Sequence, residues 1–222
     1  LDTGKGFEGY SLVDDEDWST AWKKYYKPIR ISERVVVKPT WEEYLPDEND
    51  IVVEMDPGMA FGTGTHETTK MCVAELEKYL KPGDTVIDVG TGTGILSIAA
   101  ARLGAERITA VDVDKVAVNV ALENCRLNGV GGLVEVYGGT LDDVRAREAD
   151  IVVANIIADV INGISGSVPS FLKAGGLFIT SGIIRERADD VIESCLKSGF
   201  IIEDKMYMGE WVAIVFRCQN FS

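Results

Sequence analysis

The stretch VIDVGTGTGILSIAA, residues 86–100, decides the reading of the fold. Val86, Ile87 and Val89 are β-branched and surround a single carboxylate, Asp88, which suits a buried strand. Gly90, Gly92 and Gly94 follow with threonines between them, and ILSIAAARL then continues as a helix to Gly104. Strand, glycine turn and helix in succession open a βα unit. Its ligand lies at the helix N-terminus, where bare backbone permits close approach. The glycines are spaced G-x-G-x-G, whereas a dinucleotide fingerprint needs G-x-G-x-x-G, and the third position of that pattern holds Ile95.

Asp88 also sets a carboxylate just ahead of the turn, where a pyrophosphate would come. A cationic cofactor suits that charge better. S-adenosylmethionine fits, with a sulfonium, an ammonium and one carboxylate. Downstream, RITAVDVD reads as a strand, and Asp112 stands 22 positions after Gly90. That is the place of an acid that grips ribose hydroxyls, although an exposed acid at a strand end gives the same pattern. Asp114 reads as the cap of the next helix.

Outward from this unit the pattern alternates. KVAVNVALENCRLNG is a helix with Gly129 after its last turn, LVEVYG and ADIVVANI are strands, and residues 158–172 are expected as one helix. GGLFITSGI is a strand and ERADDVIESCLKSG a helix. FIIEDKMYMG and EWVAIVFRC close the chain as an antiparallel hairpin turned at Gly209. Repeated βα units imply an α/β fold: a Rossmann-like, mostly parallel, seven-stranded sheet with helices on both faces and that hairpin at its end. Ahead of it lie a helix expected over about 14–27, with Trp18, Trp22 and Tyr25 on one face, and the short strands IRISERVVVKP and IVVEMD. The glycine-rich loop DPGMAFGTGTHETT and a helix over about 66–80 follow.

The chain has 222 residues, 46% of them hydrophobic, and a net charge of −14. That composition suits a single sizeable core and opposes a general role on a phosphate backbone. Its longest apolar run is far short of a membrane span. The polar, glycine-rich start does not read as a signal peptide. Four dispersed cysteines and one histidine argue against a metal site and fit reduced thiols in the cytoplasm.

Asn155 ends the strand VVANI, and ligands of open α/β sheets bind at such carboxyl tips. Amine methyltransferases commonly carry Asn or Asp there, followed by Pro-Pro and an aromatic residue that stacks on a planar substrate. Here the run is Asn155-Ile156-Ile157-Ala158. The hydrogen-bond acceptor is kept and the planar clamp is absent, which favours a flexible aliphatic amine. Asn155 as a helix cap is the structural alternative.

Together, DPGMAFGTGTHETT (56–69), VIDVGTGTGILSIAA (86–100), VDVD (111–114), VVANI (152–156) and EWVAIV (210–215) resemble the bacterial ribosomal protein L11 methyltransferases. The first motif is specific to that family and the second is shared by class I S-adenosylmethionine-dependent methyltransferases. The resemblance runs from about Asp14 to Cys218. It implies that Thr69 closes the loop over the cofactor, Gly90 begins the cofactor turn, Asp112 takes the ribose, and Asn155 lies between methyl donor and acceptor amine. Gly92, Asp88, Phe61 and Gly64 complete the expected cofactor contacts. Asn155 and His66 are the expected catalytic residues, with a structural role for His66 as the alternative. Glu210 and Trp211 are expected either at the mouth of the site or in plain packing.

The resemblance further implies transfer of methyl groups to lysine side chains, and to the N-terminal amine, of ribosomal protein L11. No nucleic acid, membrane or metal is required, and the chain is expected to act as a monomer in the cytoplasm. Members carry a small recognition domain ahead of the linker helix. The sequence therefore reads as a linker arm (1–50) and a catalytic domain (51–222). Two alternatives stay open: an N-methyltransferase of another protein or small amine, and a domain that binds the cofactor without turning it over.

Overall fold

The computed structural model describes residues 26–55 and 64–219. The aromatic stripe of the expected first helix and Phe61 lie outside the described residues. Seven strands form one sheet: β4 (Thr85–Val89), β5 (Arg107–Asp112), β6 (Val134–Gly138), β7 (Ala149–Asn155), β8 (Leu172–Ile184), β9 (Phe200–Met208) and β10 (Trp211–Cys218). Their order is β6-β5-β4-β7-β8-β10-β9. The pairings from β6 through β8 are parallel, and β10 runs antiparallel to both neighbours. A smaller sheet joins β1 (Ile29–Arg30), β2 (Val35–Pro39) and β3 (Ile51–Met55), with β2 and β3 parallel.

Helices cover both faces, as the near-continuous apolar strands require. On one face α1 (Glu67–Tyr79), α2 (Ile95–Leu103) and α3 (Lys115–Leu127) pack with the small sheet over Ile108, Val153 and Ile179. On the other face α4 (Ala158–Ile164) and α5 (Ala188–Lys197) cover Ile87, Val152 and Phe178. Phe178, Phe200 and Phe216 are all fully buried and join in a cluster, with ring centroids 5.7–6.4 Å apart. The helix expected over 158–172 ends at Ile164, and a separate 3-10 turn spans Val168–Phe171. Gly163, Gly166 and Pro169 explain the break: the glycines weaken the helix and the proline removes a donor. The strand expected from Gly175 starts three residues earlier, at Leu172.

All four cysteines are buried and free. Burial pushes the Cys72, Cys125 and Cys195 thiols well above their usual range, so none is an activated nucleophile. Among the described residues no cluster of side chains is arranged to hold a metal ion, and no helix is long and apolar enough to cross a membrane.

Candidate active site

The strand order reverses between β4 and β7. The carboxyl tips of β4, β5 and β7 there enclose a cavity of about 460 Å³. Gly90, Gly92 and Asp112 line it from the ends of β4 and β5; Asn155 and Ile156 line it from the end of β7, and Thr69 from the start of α1. Six residues from four separate motifs of the sequence thus meet.

The donor side is the turn after β4. Gly90 has φ 74°, and a Cβ there would lie 2.5 Å from the Ile156 Cγ2. The Gly90 and Thr91 amides both donate to the Val111 carbonyl, at 2.9 and 3.1 Å, and the Gly94 amide donates to the Thr91 carbonyl at 2.9 Å. The Gly92 amide donates to Asp112 Oδ2 at 2.9 Å, and Asp112 Oδ1 accepts the Asp114 amide at 2.9 Å. These four turn amides are committed within the protein and offer nothing to a phosphate. That geometry disfavours a dinucleotide and suits a cofactor without phosphates. Asp112 is fixed by two amides at the cavity wall, where its remaining lone pairs can accept ribose hydroxyls.

Asp88 does not contribute in the way its sequence position suggested. It is fully buried beneath the turn and does not line the cavity. Its Oδ2 accepts the Thr91 hydroxyl at 2.7 Å and the Ser97 hydroxyl at 2.6 Å, while Oδ1 has no partner. Burial pushes the Asp88 carboxyl up to about 6, against the lowering effect of the two hydroxyls. Asp88 therefore shapes the turn rather than touching the ligand. Ser97 and Thr91 are parts of that clamp which sequence reasoning missed, because nothing in a helix pattern marks a serine as turned toward the preceding strand. Asn124 is another: from α3 its Nδ2 donates to the Thr93 carbonyl at 3.0 Å.

On the acceptor side, Asn155 is half-buried at the tip of β7 and its Nδ2 donates to Thr69 Oγ1 at 3.3 Å. Thr69 lies in the first turn of α1, fully buried, within the helix expected over about 66–80. Gly64, at φ 84°, packs against Ile95 and Val37 and does not line the cavity. His66 caps α1: its Nδ1 accepts the Thr68 amide at 3.3 Å, and its ring meets Trp211 edge-on with centroids 5.0 Å apart. Neither His66 nor Trp211 is among the described residues that line the cavity; the two rings pack on each other at the start of α1. Glu210 uses its carbonyl to accept the Arg185 amide at the hairpin turn.

Comparison with known proteins identifies a family. A family described as "Ribosomal protein L11 methyltransferase (PrmA)" matches residues 3–219. A protein of Acetivibrio thermocellus named ribosomal protein L11 methyltransferase is 58% identical over 98% of this chain, which spans 69% of that relative. One of Ruminiclostridium cellulolyticum with the same name is 57% identical over 99% of this chain and 70% of its own length. A solved ribosomal protein L11 methylase from Lactobacillus delbrueckii superposes with a TM-score of 0.83 at 32% identity. The match covers 88% of this chain and all of that one. The fold is also shared with an RNA methyltransferase of Salinibacter ruber solved with S-adenosyl-L-homocysteine: TM-score 0.55, 20% identity, 68% of this chain and 92% of that chain. With a family match over nearly its whole length and relatives 57–58% identical to it, the chain belongs to the ribosomal protein L11 methyltransferase family.

Proposed function

We propose that this chain transfers methyl groups from S-adenosylmethionine to amines of ribosomal protein L11: lysine side chains, and the N-terminal amine as a further acceptor. The observation that carries the reading is the Asn155 amide, held by Thr69 in the lining of the cavity that Asp112 and the Gly90 turn also line. S-adenosylmethionine supplies a methyl group activated by its sulfonium, and S-adenosylhomocysteine is left. The chain's own residues bind and position. Asp112 accepts ribose hydroxyls, and the Gly90 turn admits the cofactor to the backbone. Asn155 Oδ1 accepts a hydrogen from the acceptor amine and turns its lone pair toward the methyl group. Positioning of this kind supplies most of the acceleration available to a displacement that disperses charge.

A lysine amine, near pKa 10.4 in water, must be neutral to attack. The aliphatic wall of Ile156, Ile157 and Val160 favours the neutral form by desolvation. Among the described lining residues none is aromatic, which suits a flexible amine better than a planar base. The net charge of −14 attracts a lysine-rich partner. Action as a monomer in the cytoplasm, without nucleic acid, belongs to the same proposal.

Incubation with methyl-labelled S-adenosylmethionine and purified L11, with free lysine as control, tests it. Label on L11 alone is expected. Label on neither, with cofactor binding intact, points to another substrate or to a binding-only domain.

A further inference from the structure

Ile156, the residue that follows Asn155, is wedged between two glycines, Gly90 in the turn after β4 and Gly182 in β8. The Ile156 amide donates to the Ser181 carbonyl of β8 at 3.1 Å, and Ser181 is the register partner of Asn155. The next residue of β8, Gly182, has φ 81°. A Cβ there would lie 2.5 Å from the Ile156 oxygen, 2.9 Å from its carbonyl carbon and 3.0 Å from its nitrogen. All three are backbone atoms, so no side-chain rotation relieves the contact. On its other flank the Ile156 side chain fills the space where Gly90 lacks a Cβ.

We propose that Gly182, which belongs to none of the recognised motifs and does not line the cavity, is a positioning residue for methyl transfer. It seats the Ile156 backbone, chiefly its carbonyl, and thereby sets where the preceding Asn155 amide stands relative to the donor turn. This rests on the reading of Asn155 as the group that orients the amine. Two independent requirements, left-handed backbone and close backbone approach, both select glycine at 182. A substitution there moves the acceptor side and leaves the Asp112 carboxylate in place.

The test compares Gly182→Ala with Gly175→Ala. Gly175 lies in the same strand at φ 76° with nothing within 4 Å of its would-be Cβ, so its variant carries the backbone strain without the collision. G182A is expected to lose about 100-fold in kcat on labelled L11, the scale of a displacement of about 1 Å, with less than tenfold change in the Kd for S-adenosylmethionine. G175A should keep kcat within about twofold even where its Tm falls.

The Asn155 side-chain amide resonances give a readout that needs no protein substrate. They should shift in G182A and stay in place in G175A. Unchanged resonances or unchanged kcat in folded G182A overturns the proposal, as does loss of kcat only in proportion to cofactor binding. Absence of L11 methylation by the unsubstituted chain bears on the substrate reading alone, and the resonances then decide. If G182A does not fold, Ile156→Gly is added to free the backbone. Restored folding with kcat far below that of I156G alone is expected, and restored folding with equal kcat overturns the role.

Discussion

The two walls of the cavity are built in different ways. The donor wall is nearly contiguous: β4, the Gly90 turn and the first turn of α2 lie within residues 85–97, and Asp112 comes from the adjoining strand β5. Its hydrogen bonds close on themselves, with the turn amides on Val111, Thr91 and Asp112. The acceptor wall takes Thr69 from α1 and Asn155 and Ile156 from the end of β7, with Gly182 of β8 packed behind Ile156. A wall that local chain geometry makes tolerates change in distant elements. A wall assembled from three segments depends on how those segments pack.

The largest expected effect strikes where the walls touch. Gly90→Ala places a Cβ 2.5 Å from Ile156 at a left-handed backbone position. Strain and overpacking together should weaken S-adenosylmethionine binding at least about 100-fold, as read by calorimetry. Asn155→Ala separates the walls: kcat should fall about 100-fold while cofactor affinity stays within about threefold. Equal losses in both would place Asn155 on the donor wall. Thr69→Val, which removes the acceptor for Asn155 Nδ2, should cost about tenfold in kcat, with Thr69→Ser recovering most of it.

A pH profile of stability isolates the donor wall from below. Burial raises the Asp88 carboxyl from 3.8 to about 6, so the folded chain holds a proton that the unfolded chain releases earlier. The associated stability is fully present below about pH 4 and is lost as pH rises through about 6, a change on the order of 3 kcal/mol. Asp88→Asn should flatten that slope in urea titrations, and a slope that persists would mean another group carries it. The smallest effect concerns Glu75, two turns after Thr69 on α1. It is fully buried with neither carboxylate oxygen hydrogen-bonded, and burial, aided by Asp204, raises its carboxyl. Glu75→Met should stabilise the fold by about 1 kcal/mol at pH 8 and leave kcat unchanged. A loss of activity would tie this helix face to the acceptor wall.

These contrasts also separate what was legible in the chain from what was not. The alternation of strands and helices, the Gly90 turn, Asp112 and Asn155 could all be read from residues 86–155. Each depends on local spacing: period 2 or 3.6 for the elements, and glycine where φ is positive. For Asp88 and His66 the direction of the side chain was not legible, for one shared reason. A carboxylate beside a glycine turn and a histidine beside a loop look poised for ligand. Yet Asp88 points down to Ser97 and Thr91, and His66 points back to cap α1 and meet Trp211. Side-chain direction at a strand tip or a helix start is set by what packs against it.

The sequence by itself determined the α/β class, the glycine turn after β4 and the residue types that stand at the strand tips. All are consequences of residue type at short range. Only the tertiary structure decided that the Asn155 amide is held by a threonine 86 positions earlier and that the Ile156 backbone after it packs against a glycine on β8. Contacts between segments far apart in the chain follow from sheet order and register, and no local pattern encodes them.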